Sequence, residues 1–164
     1  ADGCAAMLVQ SDSSKMKGLY LDSFFSNISF KGKKDMSWKL SSKGFLMTLT
    51  GYVPELIKED FDMLVSKALI SAGKTKQDIT HWCMHPGGKK ILQVIEESME
   101  LLPGKLKHSY EVLRNYGNMS SASIVFVLQK ILQELQQNNQ ATAQVFGAAF
   151  GPGLTMETFL ATYD

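Results

Sequence analysis

The sequence is short of cysteine, of long apolar runs and of net charge, and each shortage excludes a class of protein. Two cysteines, Cys4 and Cys83, are too few for a disulfide scaffold and lack the spacing of metal ligands. No apolar run reaches the roughly 18 residues that a membrane span needs. The formal net charge of +1 comes with no basic stripe for nucleic acid. We therefore expect a cytoplasmic protein with reduced thiols and no metal ion, bound to neither membrane nor nucleic acid.

The amino terminus also lacks the basic region of a signal peptide. Asp2-Gly3 is a turn dipeptide, and the alanine-rich residues 4–10 then have the composition of a strand. Because a domain seldom opens inside a strand, this start indicates a piece of a longer chain. Within that strand, Cys4 is expected to be a small core residue.

The 164 residues suffice for one globular domain, with 45% apolar and 20% charged side chains. Aromatic-rich stretches separated by glycine-bearing turns predict an antiparallel set of strands at residues 19–30, 36–40 and 45–50. After Pro54 the pattern changes to helical spacing, and Gly73 is a suitable stop for the first helix.

Strands and helices alternate through the second half. Apolar runs predict strands at residues 79–84, 143–150 and 154–163, and residues 110–116 form a short helical turn. Long helices are predicted from Gly87-Gly88 to Leu102, and from Ser120 or Ser121 to about residue 138. The pattern predicts an α/β fold in which a mixed sheet of about five strands is flanked by helices.

Three short stretches place polar or glycine residues where strands meet helices or turns. His85 follows a predicted strand, and the glycines after it open a helix whose first N–H groups are unpaired. Asn118 follows a glycine and precedes the third long helix, and residues 150–153 make a tight turn. If they converge, a histidine N–H and an asparagine amide form an oxyanion hole for a carbonyl oxygen that gains charge. Each motif by itself is more often structural, and only the combination indicates a site.

Together these stretches resemble the carboxy-terminal signatures of chalcone-synthase-type (type III) polyketide synthases. The matching motifs are His85-Pro-Gly-Gly, Tyr116-Gly-Asn-Met-Ser-Ser-Ala and Phe150-Gly-Pro-Gly-Leu-Thr-Met-Glu157, in the family's order and at similar separations. Asp2-Gly-Cys-Ala-Ala6 is similar to the family's Asp-Gly-Ala-Ala-Ala strand, so the resemblance covers essentially the whole chain. The ketoacyl synthases that start fatty-acid synthesis share the histidine and the asparagine but are less similar at His-Pro-Gly-Gly.

The resemblance implies one half of a thiolase-like fold, with residues 1–164 as the carboxy-terminal domain and the amino-terminal half absent. It makes His85 the catalytic histidine and Asn118 the catalytic asparagine, and it assigns the nucleophilic cysteine to the absent half. The implied reaction is a decarboxylative Claisen condensation of a starter acyl-CoA with malonyl-CoA, with coenzyme A thioesters as substrates and no further cofactor. The full-length protein is expected to be a homodimer, and this chain alone to be inactive.

The resemblance also suggests residues that bind substrate. Ser120 matches a position that lines the reaction cavity, although it would also serve as a helix cap. Met47 aligns with a gatekeeping phenylalanine of many plant members and Trp38 with a glycine of the cavity wall, although both would equally suit a core. The expected set is completed by two glycines and a turn, namely Gly87, Gly88, Phe150, Gly151, Pro152 and Gly153.

Three other functions remain open. A hydrolase would pair Cys83 with His85, but at about 3.3 Å per strand residue the two lie roughly 6.6 Å apart, too far for a direct hydrogen bond. The others are a non-catalytic binding domain that kept the fold and a ketoacyl synthase of fatty-acid initiation. If the chain is half of a two-part fold, the face towards the other half should be apolar, which predicts self-association or a large exposed apolar patch.

Overall fold

The computed structural model describes residues 1–11 and 17–164 of the chain. In the second half of these residues one strand is followed by three helices and then by two strands, so the predicted elements are present but do not strictly alternate. In chain order the elements are β1 (Leu19–Ile28), β2 (Met36–Ser41), β3 (Gly44–Leu49), α1 (Val53–Ser71), β4 (His81–Met84), α2 (Lys89–Met99), α3 (Lys107–Tyr116), α4 (Ala122–Gln137), β5 (Ala143–Gly151) and β6 (Thr155–Tyr163).

Four of these strands form the main sheet, in the order β1–β6–β5–β4. β4 and β5 are parallel, while β6 is antiparallel to both of its neighbours. The α/β class with a mixed sheet flanked by helices is therefore confirmed, with four strands in the described part of this sheet where the sequence predicted about five. The early strands are not one antiparallel set, because β1 pairs with β6 and only β2 and β3 form a hairpin.

Helices cover both faces of the main sheet. Successive strand residues point to opposite faces, so Phe146 is buried with α1 and α2 while Val145 is buried with α4. In α1 the predicted apolar stripe is buried, and Phe61 at its centre has no exposed surface. Burying one such side chain stabilises the fold by about 1.5–3 kcal/mol. Because both layers contain several buried apolar side chains, helix packing stabilises the sheet on both faces.

The ends of α1 and α2 show what stops each helix. Gly73 takes a positive φ of 66° just after α1, as expected for a glycine stop. α2 ends earlier than predicted, because Glu100 adopts the left-handed conformation with φ 52° and turns the chain away. Leu102, predicted to extend the buried stripe, is therefore 70% exposed.

The predicted strand at residues 4–10 is wrong. Every residue from 1 to 11 is exposed, and none of the strands in the described ranges pairs with this segment. A strand needs a neighbour to take up its backbone N–H and C=O groups, so the composition alone does not produce one. For the same reason Cys4 is exposed and is not the core residue that was expected. Among the helices described, none combines the length and apolar character that crossing a bilayer would require.

Candidate active site

His85 lies directly after β4, at the end of the sheet where the parallel strands β4 and β5 finish. Its backbone N–H donates to the carbonyl of Ala148 at 2.9 Å and so extends the ladder by one residue. Its side chain is half-buried, and this burial holds the pKa of the imidazole below its ordinary value of 6.5. Near neutral pH the ring is therefore uncharged, with one nitrogen as donor and the other as acceptor.

The two glycines after His85 differ in what their surroundings require. A Cβ on Gly87 would lie 3.1 Å from the end of the Ile91 side chain, which would have to shift slightly, and 3.5 Å from the His85 ring, an ordinary contact distance. Gly88 has an extended backbone with φ 174° and open space around it. We call residues 85–88 the histidine loop, and another group bonds its backbone at the carbonyl of Gly87.

Asn118 is that group. α3 ends at Tyr116, and Gly117 reverses the chain with a φ of 72°. The Asn118 carboxamide then donates from Nδ2 to the carbonyl of Gly87 at 3.1 Å and accepts at Oδ1 from the N–H of Ser120 at 2.9 Å. The His85 ring and the Asn118 amide therefore both lie against Gly87, at one point of the molecule.

The turn after Asn118 is held without the predicted serine cap. Ser121 precedes α4 but makes no capping hydrogen bond with its side chain, and Ser120 is exposed with a φ of 57°. The hydroxyl of Ser123, the fully buried second residue of α4, instead accepts from the N–H of Met119 at 2.7 Å. Capping by the Ser120 or Ser121 side chain is therefore wrong. Among the described residues neither hydroxyl caps α4, and the N–H of Ser123 bonds the backbone carbonyl of Ser120 at 3.1 Å.

The predicted turn at residues 151–153 lies at the same end of the sheet. β5 continues to Gly151, two residues or roughly 6.6 Å beyond Ala149, which the register places opposite His85. Gly153 has a φ of 122°, which favours glycine, and its N–H donates to the carbonyl of Met36 at 2.8 Å. In the described residues no hydrogen bond joins this turn to His85 or Asn118. Pro152 is exposed, and Phe150 packs its ring 5.5 Å from that of Phe61 as part of the core.

The turn therefore anchors the hairpin that carries Trp38 and Met47. These two residues are cross-strand partners, 51% and 47% exposed, so the alternative that they are core residues is wrong. They share one side of the hairpin with other exposed apolar side chains. We call this the apolar hairpin face, formed by Trp38, Leu40, Phe45, Met47 and Leu49. It is the kind of exposed apolar patch that the sequence led us to expect for half of a two-part fold.

Cys83 is separated from this chemistry. Its side chain is fully buried in the layer under α4, with Sγ 3.6 Å from the carbonyl oxygen of Ile124. Burial raises the pKa of the thiol, which suppresses the thiolate that a nucleophile needs. Together with the spacing argument, this excludes a Cys83–His85 hydrolase.

A charged cluster holds α3 to α4 at the opposite end of β4. The carboxylate of Glu134 accepts from Lys107 at 2.7 Å and from His108 at 2.5 Å, and Lys130 of α4 pairs with Glu111 of α3 at 2.8 Å. The cluster fixes the helix that leads to Asn118. Sequence reasoning missed it, because its members come from separate helices and share no motif.

Comparison with known proteins identifies the family of most of the chain. Residues 23–162 match the family described as "Chalcone and stilbene synthases, C-terminal domain". The chain is 32% identical over 169 aligned residues to Type III polyketide synthase B of Arabidopsis thaliana, covering 98% of this chain and 43% of that protein. Type III polyketide synthase C of the same plant is 29% identical over 164 residues, covering 97% of this chain and 43% of that protein.

A solved structure shows the fold. PKS-I from the brown alga Ectocarpus siliculosus superposes with a TM-score of 0.83 at 22% identity, covering 95% of this chain and 42% of that one. The chain thus spans less than half the length of the relatives that it matches.

Proposed function

Because the chain belongs to the chalcone and stilbene synthase family through that family's C-terminal domain, we propose that it supplies two catalytic groups of a type III polyketide synthase. The reaction is decarboxylative Claisen condensation of a starter acyl-CoA with malonyl-CoA. The observation that supports it is the meeting of His85 and Asn118 at Gly87. Two residues thirty-three positions apart (118 − 85) both lie close to Gly87, and both side chains carry neutral donors.

The proposed step is the loss of carbon dioxide from malonyl-CoA. The bond between the carboxylate and the central carbon breaks, and its electron pair moves to give an enolate with charge on the thioester oxygen. A neutral imidazole N–H from His85 suits that oxygen, because it stabilises new charge without carrying a proton that the enolate would take. Nδ2 of Asn118 has a second N–H with no partner among the described residues, which leaves it for the same oxygen.

The enolate carbon then attacks the carbonyl carbon of the acyl group, which is held as a thioester on a cysteine. A carbon–carbon bond forms, the carbon–sulfur bond breaks, and the cysteine leaves as a thiolate. Neither described cysteine suits that role by its surroundings, since Cys83 is buried and Cys4 lies in the exposed segment that forms no strand. We assign the nucleophile to the part of the relatives that this chain does not match. The apolar hairpin face, including Trp38 and Met47, would line the cavity together with Ser120 and the turn at residues 150–153. The full-length enzyme would be a homodimer.

The decisive experiment measures carbon dioxide released from malonyl-CoA. Residues 1–164 alone should release none, while the full-length protein should release it at a rate that falls about 10²- to 10³-fold in His85→Ala and in Asn118→Ala. His81→Gln and Asn115→Ala are the matched controls, since they change the same residue types four and three positions away. Unchanged release in both site variants would contradict the proposal. Binding of malonyl-CoA without any release by the full-length protein would favour the non-catalytic domain.

A further inference from the structure

Ser109 makes an unusual hydrogen bond for a serine inside a helix. A helical serine commonly turns its hydroxyl back to a carbonyl of its own helix. Ser71 and Ser98 do so here, donating to Ala68 at 2.7 Å and to Ile95 at 3.3 Å. Ser109 of α3 has no exposed surface, and its hydroxyl donates at 2.7 Å to the carbonyl of Met84, which belongs to a strand. The buried hydroxyl of Ser109 therefore links α3 to β4.

The carbonyl that accepts this bond has no ladder partner. Among the described residues, β4 is the terminal strand of the main sheet, with β5 on one side only. The N–H of His85 points towards β5, where it bonds Ala148, so the groups of Met84 point the other way, to the free edge. That edge is covered by α3 and α4, and a buried carbonyl without a donor is costly. The hydroxyl of Ser109 supplies the donor.

α3 therefore touches the histidine loop at two places. Near its start, Ser109 binds the carbonyl of Met84, directly before His85. Past its end, Asn118 binds the carbonyl of Gly87, two residues after His85. The backbone of His85 and the buried Pro86 lies between these two bonds, and the two donors come from α3 and from the turn that directly follows it. Any shift of α3 along its axis would move Asn118 and His85 together.

We propose that Ser109 is a positioning residue that sets His85 relative to Asn118 by bonding the carbonyl of Met84. The catalytic purpose of this positioning rests on the proposed function, because the reaction needs both donors directed at one oxygen. The positioning itself does not depend on it. Ser109 itself touches neither substrate nor the reacting atoms.

The test uses nuclear magnetic resonance on the 164-residue chain, without any turnover. Ser109→Ala should raise the pKa of the His85 imidazole towards 6.5, because a loosened loop admits water. It should also speed hydrogen exchange of the His85 backbone N–H at least tenfold relative to the amides of β5 and β6. A purely structural loss would speed all of these amides by one factor.

Two variants and one control complete the design. Ser109→Thr keeps a hydroxyl and should restore both readouts, while Ser98→Ala removes a helical serine remote from the loop and should change neither. If Ser109→Ala does not fold, Ser109→Cys keeps the volume with a weaker donor and should give the same changes in reduced size. An unchanged His85 in a folded variant lacking the hydroxyl, or a threonine variant as impaired as alanine, would overturn the inference. These measurements do not depend on decarboxylation. The positioning role of Ser109 and the proposed function can therefore be disproved independently of each other.

Discussion

Two regions of this protein both contain many large apolar side chains but differ in how far those side chains are buried. Before residue 51, the described residues include many large apolar side chains, yet only Ser29 and Gly32 are buried. From Val53 onwards the apolar residues form the two layers on the main sheet. The difference shows that apolar spacing creates an element's face, while burial depends on whether another element covers it. No element of the described residues packs over the apolar hairpin face or buries residues 1–11.

The largest test of this comparison truncates one phenylalanine in each region. Phe61 is fully buried and contacts the ring of Phe150, so Phe61→Ala should lower the free energy of unfolding by about 3–5 kcal/mol. Phe24, on β1, is 71% exposed, and Phe24→Ala should change it by no more than about 0.5 kcal/mol. Denaturant unfolding of both variants measures the two values. Equal losses would mean that β1 is covered in solution, by a second copy for example.

A smaller effect is expected from adding a methyl group to a glycine. A Cβ on Gly147 would overlap the ring of Phe159 from the neighbouring strand, so Gly147→Ala should cost about 1–3 kcal/mol. Gly51, between the two regions, has open space around it, and Gly51→Ala should be neutral or stabilising by up to about 1 kcal/mol. Thermal unfolding followed by circular dichroism compares the pair. Tolerance at Gly147 would show that β5 and β6 are packed more loosely than described.

The smallest effect on stability should come from the hairpin. Leu40 and Phe45 face each other across β2 and β3 and are 81% and 71% exposed. The double change to serine should alter the free energy of unfolding by less than about 1 kcal/mol, because little apolar area leaves the core. It should nevertheless reduce self-association, which sedimentation velocity measures. The control variant is Lys39→Ser, on the opposite side of the hairpin. A wild-type chain that stays monomeric at high concentration would contradict this.

Sequence reasoning went furthest where a signal is local. The stripe of α1, the strand before His85 and the glycine at position 73 were found because periodicity and backbone freedom are written in adjacent residues. It failed where the outcome depends on distant partners. Residues 4–10 have the composition of a strand but, in the described part of the chain, no neighbouring strand to pair with. Leu102 lies beyond Glu100, a left-handed residue that ends α2 although it is not a glycine, so the sequence did not indicate the stop.

For the candidate site, the motifs located His85, Gly87 and Asn118 but could not show that they meet. The hydrogen bond from Asn118 to Gly87 closes a gap of thirty-one positions (118 − 87), which only the packing of α3 against β4 produces. Ser109 was missed altogether, since a lone serine in a helical stretch has no pattern that distinguishes it.

The sequence by itself determined the α/β class, the order of elements and the residue types able to stabilise an oxyanion, because these depend on composition and local spacing. Only the tertiary structure decided that β1 pairs with β6, that Cys83 is buried and that the Asn118 amide bonds the carbonyl of Gly87 beside His85. The physical reason is that burial and hydrogen-bond partnership are properties of pairs of segments, and a linear pattern specifies each segment without its partner.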